Sequence, residues 1–233
     1  MDEQKKRSEA MSNNVYCTLR NQILNLEYAP GTMLNENDMT EKFNVSRTPV
    51  RDAFKALQNE GLLEIRPHVG TFVTKIDLSG IADALYLRTI VEQAVFSDLA
   101  FFYDPIQAVK ARVILQKQKE LLETNNAADS LSHTFIRLDD EFHYSLYIAA
   151  RREQLSHMIG AHIAHYHRFR ALMDLGEGRD LNLLYQQHVG ILELILGKKI
   201  DELRALIYEH INQGFAKSAE VIYQHGDYFT GSV

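Results

Sequence analysis

The sequence contains a single cysteine, Cys17, so neither an intrachain disulfide nor a thiolate zinc cluster can form within it. Proline is scarce, with four in 233 residues, and the balance of 45% hydrophobic to 24% charged residues is that of a soluble globular protein. Long apolar runs are missing. Stretches such as Gly190-Ile191-Leu192-Glu193-Leu194-Ile195-Leu196 are broken by charges and fall well short of the roughly 20 residues a bilayer span needs. The opening Met1-Asp2-Glu3-Gln4-Lys5-Lys6-Arg7 is polar and leads into no signal-type apolar core, so a cytoplasmic protein with no membrane partner is expected. Internal repeats and Gly-rich phosphate loops are absent as well. The length suits one large domain or two modest ones.

An excess of positive charge is also missing: the net charge is −6. The deficit is unevenly placed. Residues 1–76 carry ten Lys/Arg and ten Asp/Glu, whereas residues 77–233 carry fifteen against twenty-one, together with nine of the ten histidines. The two parts differ in chemistry, and the acidic part should repel nucleic acid.

In the first part, Leu19, Ile23, Leu24 and Leu26 make an apolar helical stripe ended by Tyr28-Ala29-Pro30-Gly31. A second helix is expected from an Asn35 N-cap, with Asp38 as a capping-box-like partner and Met39 and Phe43 turned inward. After a tight turn at Asn44-Val45-Ser46-Arg47, Thr48-Pro49 suits the N-cap and N1 positions of a third helix, because proline fits the first helical turn. Val50, Phe54 and Leu57 give that helix a buried face, and Gly61-Leu62 ends it. Strands Leu63–Arg66 and Thr71–Thr74, joined by Pro67-His68-Val69-Gly70, complete a winged helix-turn-helix. The same elements could instead form a protein-docking module, since fold does not dictate function. The exposed residues favour DNA. Arg47 and Arg51 flank the start of the third helix beside Ser46 and Thr48; helix N-termini favour phosphate oxygens, and an Arg fork spans guanine O6 and N7. His68 and Gly70 stand at the wing tip, where glycine allows close backbone approach and an imidazole can enter a narrow groove.

This part of the sequence resembles the GntR family of bacterial transcription regulators. The resemblance is carried by Ala29-Pro30-Gly31-Thr32-Met33-Leu34-Asn35-Glu36, by Val45-Ser46-Arg47-Thr48-Pro49-Val50-Arg51-Asp52-Ala53-Phe54, by Glu60-Gly61-Leu62-Leu63 and by Gly70-Thr71-Phe72-Val73. It implies operator contacts from Arg47, Thr48, Arg51, His68 and Gly70. Asn37 departs from the pattern, standing where the family usually has Arg or Lys.

From Leu78 onward the periodicity is helical, with helices expected near 79–103, 106–124, 130–149, 153–174, 181–196 and 199–224 and breaks at Asp104-Pro105, Asn125-Asn126 and Gly176-Glu177-Gly178. The expectation is an antiparallel all-α bundle large enough to enclose a cavity. The chain therefore divides into a winged-helix domain at 8–76, an all-helical domain at 77–225 and a tail at 226–233. Asp139 and His143 are four apart and share a helix face, while His188 and His210 lie on two later helices. Three imidazoles and one carboxylate suit Zn, Ni or Mn, though spacing alone does not make them converge. Arg88, Glu92, Arg168 and Arg170 interrupt otherwise apolar stripes. His162, His165 and His167 cannot all share one helix face and are expected to line a surface or cavity.

The second part resembles the FCD effector domain of the FadR-type branch of the same family, through Leu87-Arg88-Thr89-Ile90-Val91-Glu92 and Asp139-Asp140-Glu141-Phe142-His143, with His188 and His210 at its two later histidines. The resemblance implies a divalent metal held by Asp139, His143, His188 and His210 and a small carboxylate effector completing the site. Arg88, and less directly Arg168, would pair with that carboxylate. It further implies a homodimer on a pseudo-palindromic operator. Arg151-Arg152 and Lys198-Lys199 replace the usual turns. The function expected is a ligand-responsive transcriptional regulator, in the sense of a repressor; the alternative is a metal-dependent hydrolase or lyase fused to a DNA-binding module, with Glu141 the nearest general-base candidate.

Overall fold

A computed structural model of the chain describes residues 2–102, 105–124, 128–160, 164–175, 180–216 and 218–230. Its first helix, α1 (Asp2–Leu24), buries Val15, Leu19 and Ile23, a stripe at four-residue spacing. Leu26 is not part of that stripe: the helix ends at Leu24 and Leu26 takes a left-handed backbone with φ 60°. The chain then makes strand β1 (Met33–Leu34), α2 (Glu36–Phe43), α3 (Arg47–Asn59), β2 (Leu63–Arg66) and β3 (Gly70–Val73). The sequence pattern does not predict β1, which is two residues long. It pairs antiparallel with β3, which pairs antiparallel with β2, giving a three-stranded sheet in the order β1-β3-β2.

Asn35 caps α2 by accepting from the Asn37 amide at 2.8 Å, one residue short of the expected Asp38. The cap of α3 lies at Ser46, two residues before the expected Thr48. Proline tolerates this shift because none of the first four N–H groups of a helix has an intrahelical partner. Pro49, Val50, Ala53, Phe54 and Leu57 of α3 are buried and meet Leu34, Met39, Leu62, Leu63 and Val73, so helices and sheet share one apolar core. Tyr16 and Arg20 of α1 both bond Glu60 at the end of α3, the Arg20 contact at 2.7 Å.

The chain divides into two compact units. One comprises Met1–Leu78, His162–Leu172 and Ile222–Val233; the other comprises Ser79–Ala161 and Met173–Val221. Within the first, the segment expected as a tail is tied down. Ile76 donates to the Tyr228 carbonyl at 2.8 Å and accepts from Thr230 at 2.9 Å, a parallel bridge to Phe229.

The remaining elements are helical: α4 (Leu78–Phe102), α5 (Pro105–Glu123), α6 (Ala128–Ala149), α7 (Glu153–Gly160), α8 (Ala164–Leu175), α9 (Leu181–Leu196), α10 (Ile200–Ala216) and α11 (Ala219–Gln224). The expected helix 199–224 is divided at Ser218, whose amide and hydroxyl both turn back to the Phe215 carbonyl, at 3.2 and 2.6 Å. Asp104, Asn125-Asn126, Gly176-Glu177-Gly178 and residues 161–163 of the expected helix 153–174 lie outside the described residues. α9 and α10 run antiparallel, with Gln187 opposite Gln213, His188 opposite His210 and Gly190 against Leu206. A Cβ at Gly190 would stand 2.9 Å from Leu206 Cδ2, so glycine lets these helices close onto each other. α4 meets α10 through Gln93 to the Arg204 carbonyl at 2.8 Å and Asn212 to Thr89 at 3.1 Å, and meets α6 through Phe96 on Tyr147.

Candidate metal centre and nucleic-acid face

Asp139 and His143 are on α6, His188 on α9 and His210 on α10, and all four are buried. One ligand atom from each lies within 4.8 Å of all the others. His143 Nε2 is 3.0 Å from His210 Nε2, which is 3.3 Å from His188 Nε2; Asp139 Oδ1 is 3.0 Å from His188 Nε2 and 3.9 Å from His210 Nε2. The helices thus bring together four groups that spacing alone could not.

The outward edges of the imidazoles decide what the inward edges offer. His143 Nδ1 is 2.8 Å from Glu92 Oε2, His188 Nδ1 is 3.0 Å from Gln118 Oε1 and His210 Nδ1 is 3.0 Å from Gln187 Oε1. A carboxylate only accepts, so His143 carries its proton on Nδ1. Gln187 is oriented in the same sense, because its nitrogen faces Glu209 Oε1 at 3.5 Å and its oxygen also accepts from Gln213 at 2.6 Å. With Nδ1 protonated, Nε2 of His143 and of His210 presents a lone pair to the centre, while His188 Nε2 donates to the acceptor-only Asp139 carboxylate at 3.0 Å, a proton that a bound cation would displace. Burial holds His188 below the ordinary histidine pKa, and holds His210 well below it, so both stay neutral. Facing lone pairs 3.0 Å apart on His143 and His210, beside the Asp139 carboxylate, form an acceptor-rich cavity, which a cation suits. Nitrogens about 2.0–2.1 Å from one tetrahedral zinc stand roughly 3.3 Å apart, close to the spacing here. The residues fit a divalent metal.

Sequence reasoning missed Gln118 and Gln187 as outer partners, for isolated glutamines carry no motif. In the sequence Glu92 stands out only as a charge in an apolar stripe. It is 1% exposed and accepts from Arg88 Nε at 2.7 Å through the oxygen not facing His143. Burial pushes its carboxyl up, but Arg88 and His143 outweigh this and hold it at about 2. Arg88, expected to face an effector, is thus engaged with Glu92 behind His143. Glu141 lies on the exposed side of α6, 2.5 Å from Arg137, and is not aimed at the centre.

Arg168 belongs to the first unit, and the four residues of this centre to the second. It has 0% exposure, donates to the Thr74 carbonyl at 2.5 Å and lies 2.9 Å from His165 Nδ1, all within the first unit. His165 Nδ1 also accepts from the Asp77 amide at 3.2 Å. The expected surface or cavity role of His165 is therefore replaced by a half-buried acceptor role; His162 lies outside the described residues.

On the winged-helix side, Ser46, Arg47, Thr48 and Arg51 are exposed at the start of α3, and Arg47 and Arg51, four apart, share a face. Arg51 Nε donates to both carboxylate oxygens of Glu36, at 2.9 and 3.1 Å. His68 is exposed in the β2–β3 turn with φ 60°, and Gly70 opens β3 where a Cβ would stand 3.1 Å from Met33 Sδ. Arg66, beside that turn, stacks on Phe72 at 4.7 Å.

Comparison with known proteins follows the same division. Residues 11–73 match the model for bacterial regulatory proteins of the gntR family, and residues 83–213 match the FCD domain. The chain belongs to the GntR family. The chain is 30% identical over 205 residues to an HTH-type transcriptional regulator in an unstable DNA locus of Streptomyces ambofaciens, covering 87% of this chain and 82% of the relative. It is 27% identical over 223 residues to the HTH-type transcriptional repressor RspR of Escherichia coli K12, covering 96% and 95%. The E. coli McbR/YncC structure shares the fold, with a TM-score of 0.73 at 17% identity over 92% of this chain and 98% of that one. As a GntR regulator with an FCD domain, the protein is a DNA-binding transcription regulator and not an enzyme. Among the described residues, no helix is long and apolar enough to cross a membrane.

Proposed function

We propose that this GntR regulator is a homodimeric, ligand-responsive repressor whose helical domain holds a divalent metal through Asp139, His143, His188 and His210. The observation that carries the reading is the convergence of three Nε2 atoms and one carboxylate oxygen, backed by an acceptor on each Nδ1. Nitrogen and carboxylate ligands without thiolate suit Zn, Ni or Mn. When bound, such an ion supplies open coordination positions to an oxygen ligand. The side chains do the rest. Glu92, Gln118 and Gln187 hold the rings in one tautomer and one plane, and the buried Arg88 adds positive charge felt at both His188 and His210, which favours an anion such as a small carboxylate. Arg168 is left out of this reading: it lies in the first unit, where its two terminal nitrogens face the Thr74 and Lys75 carbonyls and His165.

Operator contacts are assigned to Ser46, Arg47, Thr48, Arg51, His68 and Gly70, within a DNA-binding domain at 8–76; the effector domain is assigned to 77–225, of which residues 162–172 and 222–225 group with the first compact unit. Two copies on a pseudo-palindrome would place one α3 per half-site. Tyr86, Leu87 and Ile90, exposed together on α4 at 70%, 43% and 47%, support self-association through an apolar face. The repressor sense is supported by the name of the E. coli relative RspR. An effector acts only by as much as its affinity differs between the dimer's alternative geometries.

The test uses a DNA duplex selected by the wild-type protein and a panel of small carboxylates. Metal-loaded wild type should release that duplex on addition of the active acid, while His188→Ala should bind the duplex and ignore the acid. If His188→Ala melts at lower temperature yet keeps the full response, the metal is structural only and the sensing role fails.

A further inference from the structure

We infer that Glu36 is a specificity-determining residue that acts through Arg51; the inference rests on the DNA reading above and names the device that makes its arginine selective. Glu36 opens α2 and is half-buried, while Arg51 lies on the exposed face of α3. Arg51 Nε stands 2.9 Å from one Glu36 oxygen and 3.1 Å from the other, so the carboxylate takes the side edge of the guanidinium. Among the described residues the two terminal nitrogens of Arg51 make no hydrogen bond. An arginine can read guanine through its side edge, which uses Nε, or end-on through the two terminal nitrogens. With Nε occupied, only the end-on fork remains.

Two consequences follow from charge and from flexibility. A carboxylate in contact with Arg51 repels phosphate oxygens, which an isolated surface arginine would otherwise take, and phosphate contacts carry no sequence information. Rejecting the backbone is a repulsive element that sharpens choice among base pairs. Holding a long side chain in place before DNA arrives also lowers the ordering cost at the moment of binding. In the free protein the exposed ion pair contributes little to stability, so its placement is better explained by recognition than by folding.

The experiment is binding-site selection from a randomised duplex library with the full-length chain, comparing wild type, Glu36→Gln, Glu36→Asp, Arg51→Ala and the Glu36→Gln/Arg51→Ala double variant. Wild type should enrich a guanine at one fixed position in each half-site, and Arg51→Ala should lose it. Glu36→Gln should weaken that preference about tenfold while affinity for non-specific DNA is kept or raised. Glu36→Asp keeps the charge but withdraws the oxygens, and should weaken the preference in the same direction with an unchanged melting temperature. The double variant should match Arg51→Ala alone, since Glu36 works only through that side chain. The inference is overturned if Glu36→Gln keeps the wild-type profile and affinity, or if it still changes the profile when Arg51 is absent. A wild type that enriches no sequence would instead sink the DNA assignment on which the pair depends.

Discussion

Gln187 turns its side-chain oxygen to His210 Nδ1 at 3.0 Å, and the acceptor-only carboxylate of Glu209 sets that amide the same way round. The contact fixes which nitrogen of His210 faces the metal centre. Replacing Gln187 with Leu removes the acceptor while keeping most of the volume, and should lower metal affinity by roughly 10–100-fold. Chelator competition on the folded variant measures it. Affinity equal to wild type would mean that the outer acceptor does not set the ring.

Arg168 is a fully buried cation spent on backbone carbonyls. Burial lowers its pKa to about 10, which still leaves it charged at neutral pH. Arg168→Ala leaves the Thr74 carbonyl without its partner, removes one of the two donors to His165 Nδ1 and opens a void, and should cost roughly 3 kcal/mol or more. Arg168→Lys should recover only part, since one ammonium cannot reproduce a planar fork. Urea midpoints provide the comparison. An unchanged midpoint together with lost effector binding would return Arg168 to the effector site.

His165 links stability to pH. Burial, then the adjacent Arg168 charge, lowers its pKa from 6.5 to about 4 in the folded chain. Between those values the unfolded chain binds more protons, so stability rises with pH across the window. The contribution is complete above 6.5 and is lost as pH falls through about 4, where protonation would remove the acceptor for Asp77 and Arg168. In His165→Gln an untitratable oxygen takes that place, and the melting temperature should fall less over the same pH range. Equal slopes in the two proteins would show that His165 does not titrate with folding.

Arg151 and Lys198, in the two turns where the sequence departs from the family pattern, are both left-handed, with φ of 56° each. Lys198 donates to Ile195 and Lys199 to Leu194, the bond pair that closes a helix C-terminus around a left-handed residue. Asn44 and Gly61 fill the same position at the ends of α2 and α3 with residues suited to it. A lysine carries a steric cost there that glycine avoids, so Lys198→Gly should stabilise the chain by about 0.5–1 kcal/mol. Thermal and urea denaturation check it, and a destabilised variant would mean that the lysine side chain has packing worth more than the strain.

The elements were legible where periodicity was strong. Val50, Phe54 and Leu57 on α3, and the long apolar repeats of α4 and α9, set both type and face of their helices. Boundaries shifted where a local contact outweighed the pattern: Ser46 rather than Thr48 caps α3, and Ser218 divides a helix that hydrophobic spacing alone would carry through. Strand β1 is only Met33–Leu34 and becomes a strand by pairing with β3, a contact some forty residues away that no local pattern records. At the candidate centre, the i,i+4 spacing of Asp139 and His143 was readable, but their meeting with His188 and His210 depends on how α6, α9 and α10 pack. Gln118, Gln187 and the Glu36–Arg51 pair were invisible for the same reason. Arg168 shows the opposite difficulty: its helical spacing puts it in the second part of the chain, yet it groups with the first unit and faces the Thr74 and Lys75 carbonyls and His165 there.

The metal content of the purified protein after loading with Zn, Ni or Mn and exhaustive dialysis is the most direct test of the central claim, that the four converging side chains hold a divalent ion. Wild type should retain one ion per chain, and His188→Ala and Asp139→Ala should retain none while remaining folded. Retention of an equal amount by those variants, or none by wild type with any of the three metals, would contradict it.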